Sequence, residues 1–309
     1  MLSGELDVLL LAAGFGTRLE PLTQQIPKAL LPICGTPILD LQLDRLASAR
    51  RIVVNGHHLA DALRDHLAAR PDRERLVFSH EPEIMGTGGA IAHARDLFYS
   101  DPVLVQNVDA LCAVPFKALV AFHRAHDFAA TMLLTRSALW PNVTAEADRV
   151  ASITPGRRVP GAFTFTGCHV ISRELIHHLP RGVFHDIRDS YLALIAQGRL
   201  GAFVWPTTGP GTLVDIGTPA AYLDVHRACQ DQPHVTGFGH VDATARIGEH
   251  CRIAESVVLA GAVLAPGTRL RRAIIGPGAH VAGHIEQRMI TTLGEAVIEE
   301  RDERAQETR

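Results

Sequence analysis

Along the first 135 residues, short unbroken apolar runs take turns with stretches in which apolar residues recur every three or four positions. The runs at 7–11, 51–55, 75–79, 103–106 and 129–135 are rich in Val, Leu and Ile and predict strands buried on both faces. Between them, Leu39, Leu43 and Leu46 follow i, i+4, i+7 spacing, and Leu59, Leu63 and Leu67 recur every four residues; both patterns predict helices. Thr36-Pro37 offers the first of these an N-cap and a proline at its first helical position. Alternation of this kind predicts an α/β fold, a Rossmann-like mixed, mostly parallel sheet flanked by helices. Ligands in such sheets collect beyond the carboxyl ends of the strands.

The pattern loosens over 136–165, where "PNVTAEADRVASITPGRRVPG" reads as loops and short strands. It resumes with a strand in "AFTFTGCHVIS", a helix in "SRELIHHL" and a second helix near 187–196. Beyond the polar, turn-rich "CQDQPHVTGFGH" the period changes. Val241, Ile247, Ile253, Leu259, Leu264, Leu270, Ile275 and Val281 stand five or six residues apart, with small residues and turn formers between. Neither a strand nor a helix has that period. A hexapeptide repeat does, and it predicts a short left-handed β-helix whose axis is filled by one aliphatic side chain per side. The expected organisation is therefore an α/β domain over 1–230, a β-helix over 231–292 and a charged tail over 293–309, solvated as a helix or disordered.

Composition narrows the function classes. A formal charge of -3 and the absence of any basic run argue against nucleic acid as a partner. The apolar run at 8–13 lacks a basic flank and is too short for a signal peptide or a membrane span, so a soluble cytoplasmic protein is expected, with no membrane partner. Five scattered cysteines without CxxC spacing predict reduced structural thiols, and the seventeen histidines read as surface or packing residues. Only two of the thirty basic side chains are lysines, Lys28 and Lys117, which draws attention to Lys28.

Lys28 ends a stretch, "LLLAAGFGTRLEPLTQQIPKALLP", that carries the chemistry. Gly14 and Gly16 follow a strand and let the backbone turn its N–H groups toward an anion. A third glycine is missing at Leu19, and GK[ST] is absent, so this is neither a dinucleotide fingerprint nor a Walker loop. Arg18 adds a planar fork and Lys28 a compact charge on a stiff segment after Pro27. Two cations of different shape around a glycine turn suit displacement at the phosphorus of a polyphosphate.

The stretch closely resembles the N-terminal motif of sugar-1-phosphate nucleotidyltransferases, L-A-x-G-x-G-T-R-L-x-P-L-T-x-x-x-P-K-x-L-L-P. "EPEIMGTGGAI" resembles the family's base-recognition segment, "VLVQNVDA" its strand ending in a metal-binding aspartate, and "LVDIGTPAAYLDVH" its W-x-D-I-G-T-P segment with a second such aspartate. The hexapeptide tail also occurs in many members. The resemblance implies transfer of a nucleotidyl group from an NTP to a sugar-1-phosphate, with release of pyrophosphate, as for cell-envelope polysaccharide precursors. It implies Arg18 and Lys28 as catalytic residues, and Leu11, Ala12, Ala13, Gly14, Gly16, Thr17, Glu81, Gly86 and Thr87 around the nucleotide. Asp109 and Asp215 would hold Mg²⁺, which takes few carboxylates and keeps phosphate oxygens and waters. A homo-oligomer is expected.

Three departures stand out. Val108 replaces the glycine of N-G-D and is expected to crowd the ribose; Leu213 replaces the tryptophan of W-x-D-I-G-T-P. The Glu-Lys-Pro run that grips glucose in relatives is missing from "ASITPGRRVPGAFTFTG". Arg157 or Arg158 could supply the lost cation, or that loop is plain solvated surface; Asn142, Thr166 and Gly167 are the candidate sugar contacts. The pattern is nearer to the N-acetylmuramate-1-phosphate uridylyltransferase and mannose-1-phosphate guanylyltransferase-like branches. The alternatives are a non-catalytic NDP-sugar-binding regulator, a cytidylyltransferase acting on phosphocholine, and an acyltransferase working on the β-helix through His250, His280 or His284.

Overall fold

The computed structural model describes residues 6–299 except 113, 138, 206–212 and 230–233. By its internal contacts the chain forms two compact units, one from Met1–Gly14 with Gln42–Leu213, the other from Phe15–Leu41 with Val214 onward. The boundary expected at 230–231 and the tail beyond 299 lie outside the described residues.

The first unit is built on a nine-stranded sheet. In chain order its strands are β1 (Asp7–Leu11), β2 (Arg51–Gly56), β3 (Leu76–His80), β4 (Val103–Asn107) and β5 (Ala130–Thr135), followed by β6 (Val143–Glu146), β7 (Arg149–Ile153), β8 (Thr164–Ile171) and β9 (Leu200–Trp205). They lie in the order β3-β2-β1-β4-β8-β5-β9-β7-β6. β3, β2, β1 and β4 are parallel, as are β5 and β9, whereas β8 and β7 run against their neighbours. The five predicted strands all form, each within a residue of its expected start. Their apolar runs are long enough for burial on both faces: Val8, Leu9, Leu10, Ile52, Val53, Val54, Val103, Leu104 and Val105 are wholly buried. Polar residues share that interior, among them a charged one. Asp7 accepts both arms of Arg50 (3.0 and 2.7 Å) and the Ser100 and Tyr99 N–H groups, which together outweigh burial and hold its carboxyl below the usual range.

The helices also follow their patterns, with one correction. Leu39, Leu43 and Leu46 are buried on and just after α1 (Ile38–Arg45), and Leu63 and Leu67 on α2 (Ala60–Ala69). Thr36 and Pro37 do not cap α1. They pair antiparallel with Pro32–Ile33 in a small hairpin, because the Cys34-Gly35 turn, with φ of 50° and 85°, reverses the chain first. The later helices are α3 (Gly86–His93), α4 (Phe116–Arg124), α5 (Arg173–His178), α6 (Ile187–Ala196) and α7 (Pro219–Val225). Ser172 and Asp186 cap α5 and α6 through their side chains.

In the second unit the five-to-six-residue period makes a short parallel coil. Val241 pairs with Val258 and then Ile275, Ile247 with Leu264 and then Val281, and Ile253 with Leu270. Each partner is seventeen residues on, so a turn repeats six, six and five. That repeat corrects one position: the ladder residue is Val258, not Leu259. Ile253, Val258, Leu264, Leu270, Ile275, Val281 and Ile285 fill the axis. Burying each aliphatic side chain of this kind stabilises the coil by about 1.5–3 kcal/mol. The tail expectation is also corrected. Glu295–Val297 forms a strand antiparallel to Arg288–Ile290, and Ile298 is buried beside it, so the chain stays ordered in a strand past 293 rather than entering a helix there.

Two of the five cysteines overturn the expectation of free thiols. Cys34 and Cys229 are joined as a disulfide across 195 residues, their Cα atoms 5.5 Å apart. The bond ties the hairpin that follows Lys28 to the chain leaving α7, and the Tyr222 hydroxyl donates to the Pro32 carbonyl beside it at 2.7 Å.

Candidate active site

In the first unit, the candidate residues gather at the carboxyl ends of the parallel strands. Ala12 follows β1, and its N–H donates to Asn55 Oδ1 at the end of β2 (2.6 Å). The Asn55 amide donates in turn to Glu81 Oε1 (2.6 Å), and Glu81 Oε2 accepts the Met85 N–H (3.2 Å). Glu81, expected beside the nucleobase, is thus 1% exposed with both oxygens committed to the protein. It acts as a strut between β1, β2 and the segment leading into Gly86. Asn55 was not anticipated, although a lone asparagine ending an apolar strand was the available signal.

Gly86 (φ 69°) opens α3, and a Cβ there would stand 2.7 Å from the His185 carbonyl oxygen. That same carbonyl accepts the Gly88 and Gly89 N–H groups at 2.9 and 3.1 Å, so the loop before α6 occupies the start of α3. Thr87 is half-buried between them. Ala13 is buried; Gly14 is exposed, with no protein atom within 4 Å of where a Cβ would sit. Open backbone at this point leaves room for a ligand to approach the main chain.

Asp109 sits in a turn after β4 that a single side chain clamps. Gln42, wholly buried, donates to the carbonyls of Val108 (3.0 Å) and Ala110 (3.1 Å), and its own oxygen accepts from Gln106 (2.8 Å). Val108 does not crowd the ligand edge as expected. Its side chain is buried and its N–H donates to the Leu11 carbonyl, so it packs inward.

The three candidate sugar contacts separate. Asn142 is half-buried and pinned through its backbone to Phe163 and Thr154. Thr166 is buried, and its hydroxyl donates to the Leu133 carbonyl and accepts the Cys168 N–H, which removes it from the candidates. With Gly167 (φ 76°) it forms the bulge that shifts the β8–β5 register, and a Cβ on Gly167 would press on the Asn107 amide at 2.9 Å.

The second unit carries the cations. Gly16 (φ 68°) turns the chain into a single 3-10 turn, Thr17–Leu19, on which Arg18 and Thr17 are exposed and Leu19 is buried. Thr23 holds that turn by donating to the Gly16 carbonyl at 3.0 Å. Lys28 begins a second such turn, Lys28–Leu30, and its Cβ lies 3.4 Å from the place of a Gly16 Cβ. Asp215 ends a short strand, Leu213–Asp215, after which Thr218 caps α7 with Pro219 at its start. Gly217 lies between strand and cap. A Cβ there would run into the Arg18 guanidinium and stand 3.0 Å from Asp215 Oδ1. Two motifs about 200 residues apart in sequence therefore meet on one glycine.

A parallel-strand α/β unit with Asp109 in a turn at its carboxyl edge, and an arginine beside an aspartate-bearing turn, make a candidate site for a phosphate-bearing ligand. Comparison with known proteins agrees. Residues 7–140 match the Nucleotidyl transferase family model. The mannose-1-phosphate guanylyltransferase of Mycobacterium tuberculosis is 30% identical over 93% of this chain and 85% of its own length. The catalytic subunit beta of mannose-1-phosphate guanylyltransferase from Drosophila melanogaster is 30% identical over 94% and 89%. The crystal structure of HddC from Yersinia pseudotuberculosis, also solved complexed with GMP-PN, superposes with a TM-score of 0.61 at 25% identity, over 71% of this chain and 97% of that one. The chain belongs to the sugar-1-phosphate nucleotidyltransferase family. No helix among the described residues is long and apolar enough to cross a membrane.

Proposed function

We propose that the protein transfers a nucleotidyl group from an NTP to a sugar-1-phosphate, releasing pyrophosphate by in-line displacement at the α-phosphorus. The observation that carries this reading is the meeting of Arg18 with the Asp215–Gly217 turn. Arg18 stabilises charge growing on the departing pyrophosphate, and Lys28 orients the attacking phosphate or the α-phosphate. The open backbone at Gly14 receives the nucleotide, with the segment around Gly86 and Thr87 beside its base. No side chain is asked to form a covalent bond; positioning and electrostatics do the work.

Asp109 and Asp215 are the ligands for a divalent cation, Mg²⁺ in this reading, which when bound neutralises phosphate charge. Two carboxylates are a donor set of the kind Mg²⁺ accepts, since it takes one or two carboxylates and completes its shell with substrate oxygens and water.

The test is pyrophosphate release from five NTPs crossed with mannose-1-phosphate, glucose-1-phosphate, N-acetylmuramate-1-phosphate and phosphocholine, with Mg²⁺ and with EDTA. The relatives' names put GTP with mannose-1-phosphate first. Release with one pair, abolished by EDTA, is expected. Silence across the panel from folded, nucleotide-binding protein would overturn the reading in favour of a regulatory homologue.

Gly217→Ala probes the key contact. Its backbone lies outside the left-handed region, and the nearest atoms are the ends of two side chains, the Arg18 guanidinium first and Asp215 Oδ1 at 3.0 Å, so the fold absorbs the methyl group while both groups shift. Turnover is expected to fall about ten- to a hundredfold as Arg18 and Asp215 are pushed apart, with the thermal midpoint held. Unchanged turnover would separate Arg18 from that turn.

A further inference from the structure

We propose that Trp140 and Arg158 form the acceptor-recognition pair of this chain, the apolar face of the sugar lying on the indole and the sugar's phosphate meeting the guanidinium. The inference rests on the function proposed above and names the residues that would choose its acceptor.

A tryptophan is an expensive residue to leave in water, yet Trp140 is 58% exposed. Its backbone is strained as well, with φ at 94°, a region that bulky side chains avoid. The strain is held from both sides. The Val159 N–H donates to the Pro141 carbonyl (2.7 Å), the Thr154 N–H to the Asn142 carbonyl (2.9 Å) and the Asn142 N–H to the Phe163 carbonyl (3.0 Å). Neighbours that fix a strained, exposed aromatic without burying it describe a residue kept for a ligand rather than for the core.

The pair's position suits the acceptor. Trp140 follows β5, whose end shares the carboxyl edge of the sheet with the end of β4 and the Asp109 turn, all within the first unit. Arg158 lies over the indole, its guanidinium carbon 5.8 Å from the ring centroid, within cation–π range. Arg136 lies over Phe163, its guanidinium carbon 4.7 Å from that ring centroid, and the Phe163 carbonyl is the one that accepts the Asn142 N–H. A flat apolar ring beside guanidinium groups matches a ligand with a carbohydrate ring at one end and a phosphate at the other.

The test separates acceptor from nucleotide. Trp140→Ala is expected to raise the KM for the sugar phosphate about tenfold or more while the KM for the NTP stays within twofold, and Trp140→Phe to recover most of the loss. Arg158→Ala should raise the acceptor KM for sugar phosphates and not affect NTP binding. A second readout needs no turnover: with only two tryptophans in the chain, adding a sugar-1-phosphate should change the intrinsic fluorescence of the wild type and leave Trp140→Phe unresponsive. If the wild type forms product but Trp140→Ala keeps its acceptor KM, this inference falls and the proposed function stands. If the wild type forms no product and its fluorescence ignores every sugar phosphate, both fall.

Discussion

Replacing Arg18 with alanine is expected to cut pyrophosphate release about a hundred- to a thousandfold while the protein stays folded. Structure and chemistry both point that way. The 3-10 turn that carries Arg18 is held by Gly16, by the Thr23 hydroxyl and by the buried Leu19, none of which depends on the guanidinium. Removing an exposed side chain from such a turn leaves the core untouched. The loss in rate follows from when the charge develops: a departing pyrophosphate gains negative charge as the bond to the α-phosphorus breaks, and a fixed cation helps the transition state more than the ground state. Arg18→Lys should therefore recover only part of the rate, because a point charge cannot reproduce the planar fork. The decisive comparison is kcat against the NTP KM. A fall in kcat with KM little changed places Arg18 on the transition state, a rise in KM alone makes it a binding residue, and near-normal turnover removes it from the mechanism.

What could be read from the sequence divides by distance along the chain. Strands β1, β2 and β4 were legible because an apolar run declares itself within five or six residues, and the coil because its ladder residues repeat every seventeen. The site motifs were legible as residue types. Their supports were not. Gln42 reaches the Asp109 turn from 66 residues away, Asn55 reaches Ala12 across 43, and Cys34 meets Cys229 across 195, and no local pattern encodes such pairings. Glu81 and Thr166 show the converse error. Polar residues inside the family-like motifs read as ligand contacts, yet both are buried and their hydrogen bonds hold neighbouring strands and loops. Thr36-Pro37 has the composition of a helix start, but the hairpin closed by the turn before it claimed those residues first.

Acidification well above the carboxylate range should weaken the protein, because histidines are buried in the sheet unit. His169 on β8 is 1% exposed; it stacks on Phe165 at 5.6 Å and meets Tyr191 edge-on at 5.7 Å, and neither ring nitrogen has a hydrogen-bond partner among the described residues. Burial pushes its pKa down to about 3. His123 on α4, bonded to the Thr131 hydroxyl at 2.9 Å, is pushed down to about 4, again chiefly by burial. An imidazole that stays neutral when folded but takes a proton near pH 6.5 when unfolded gives the unfolded state more bound protons throughout that interval. Stability is then full above pH 6.5 and is lost as pH falls toward the folded value, by about 1.4 kcal/mol per pH unit per histidine. Between neutral pH and pH 5 the two together should cost about 4 kcal/mol, and His226 just after α7, wholly buried and pushed down to about 4 chiefly by burial, adds about 2 more, a large share of an ordinary folding free energy. The Asp7 carboxyl, held below its usual range, adds its own loss only at lower pH. Denaturant midpoints measured at pH 7.5, 6 and 5 should therefore slide steadily downward. His169→Phe keeps the aromatic contacts and removes one of these three titrating groups, so its midpoints should slide about two thirds as far and start no lower at pH 7.5. Midpoints that hold level from pH 7.5 to 5 in the wild type would mean that these imidazoles do not remain neutral inside the folded sheet.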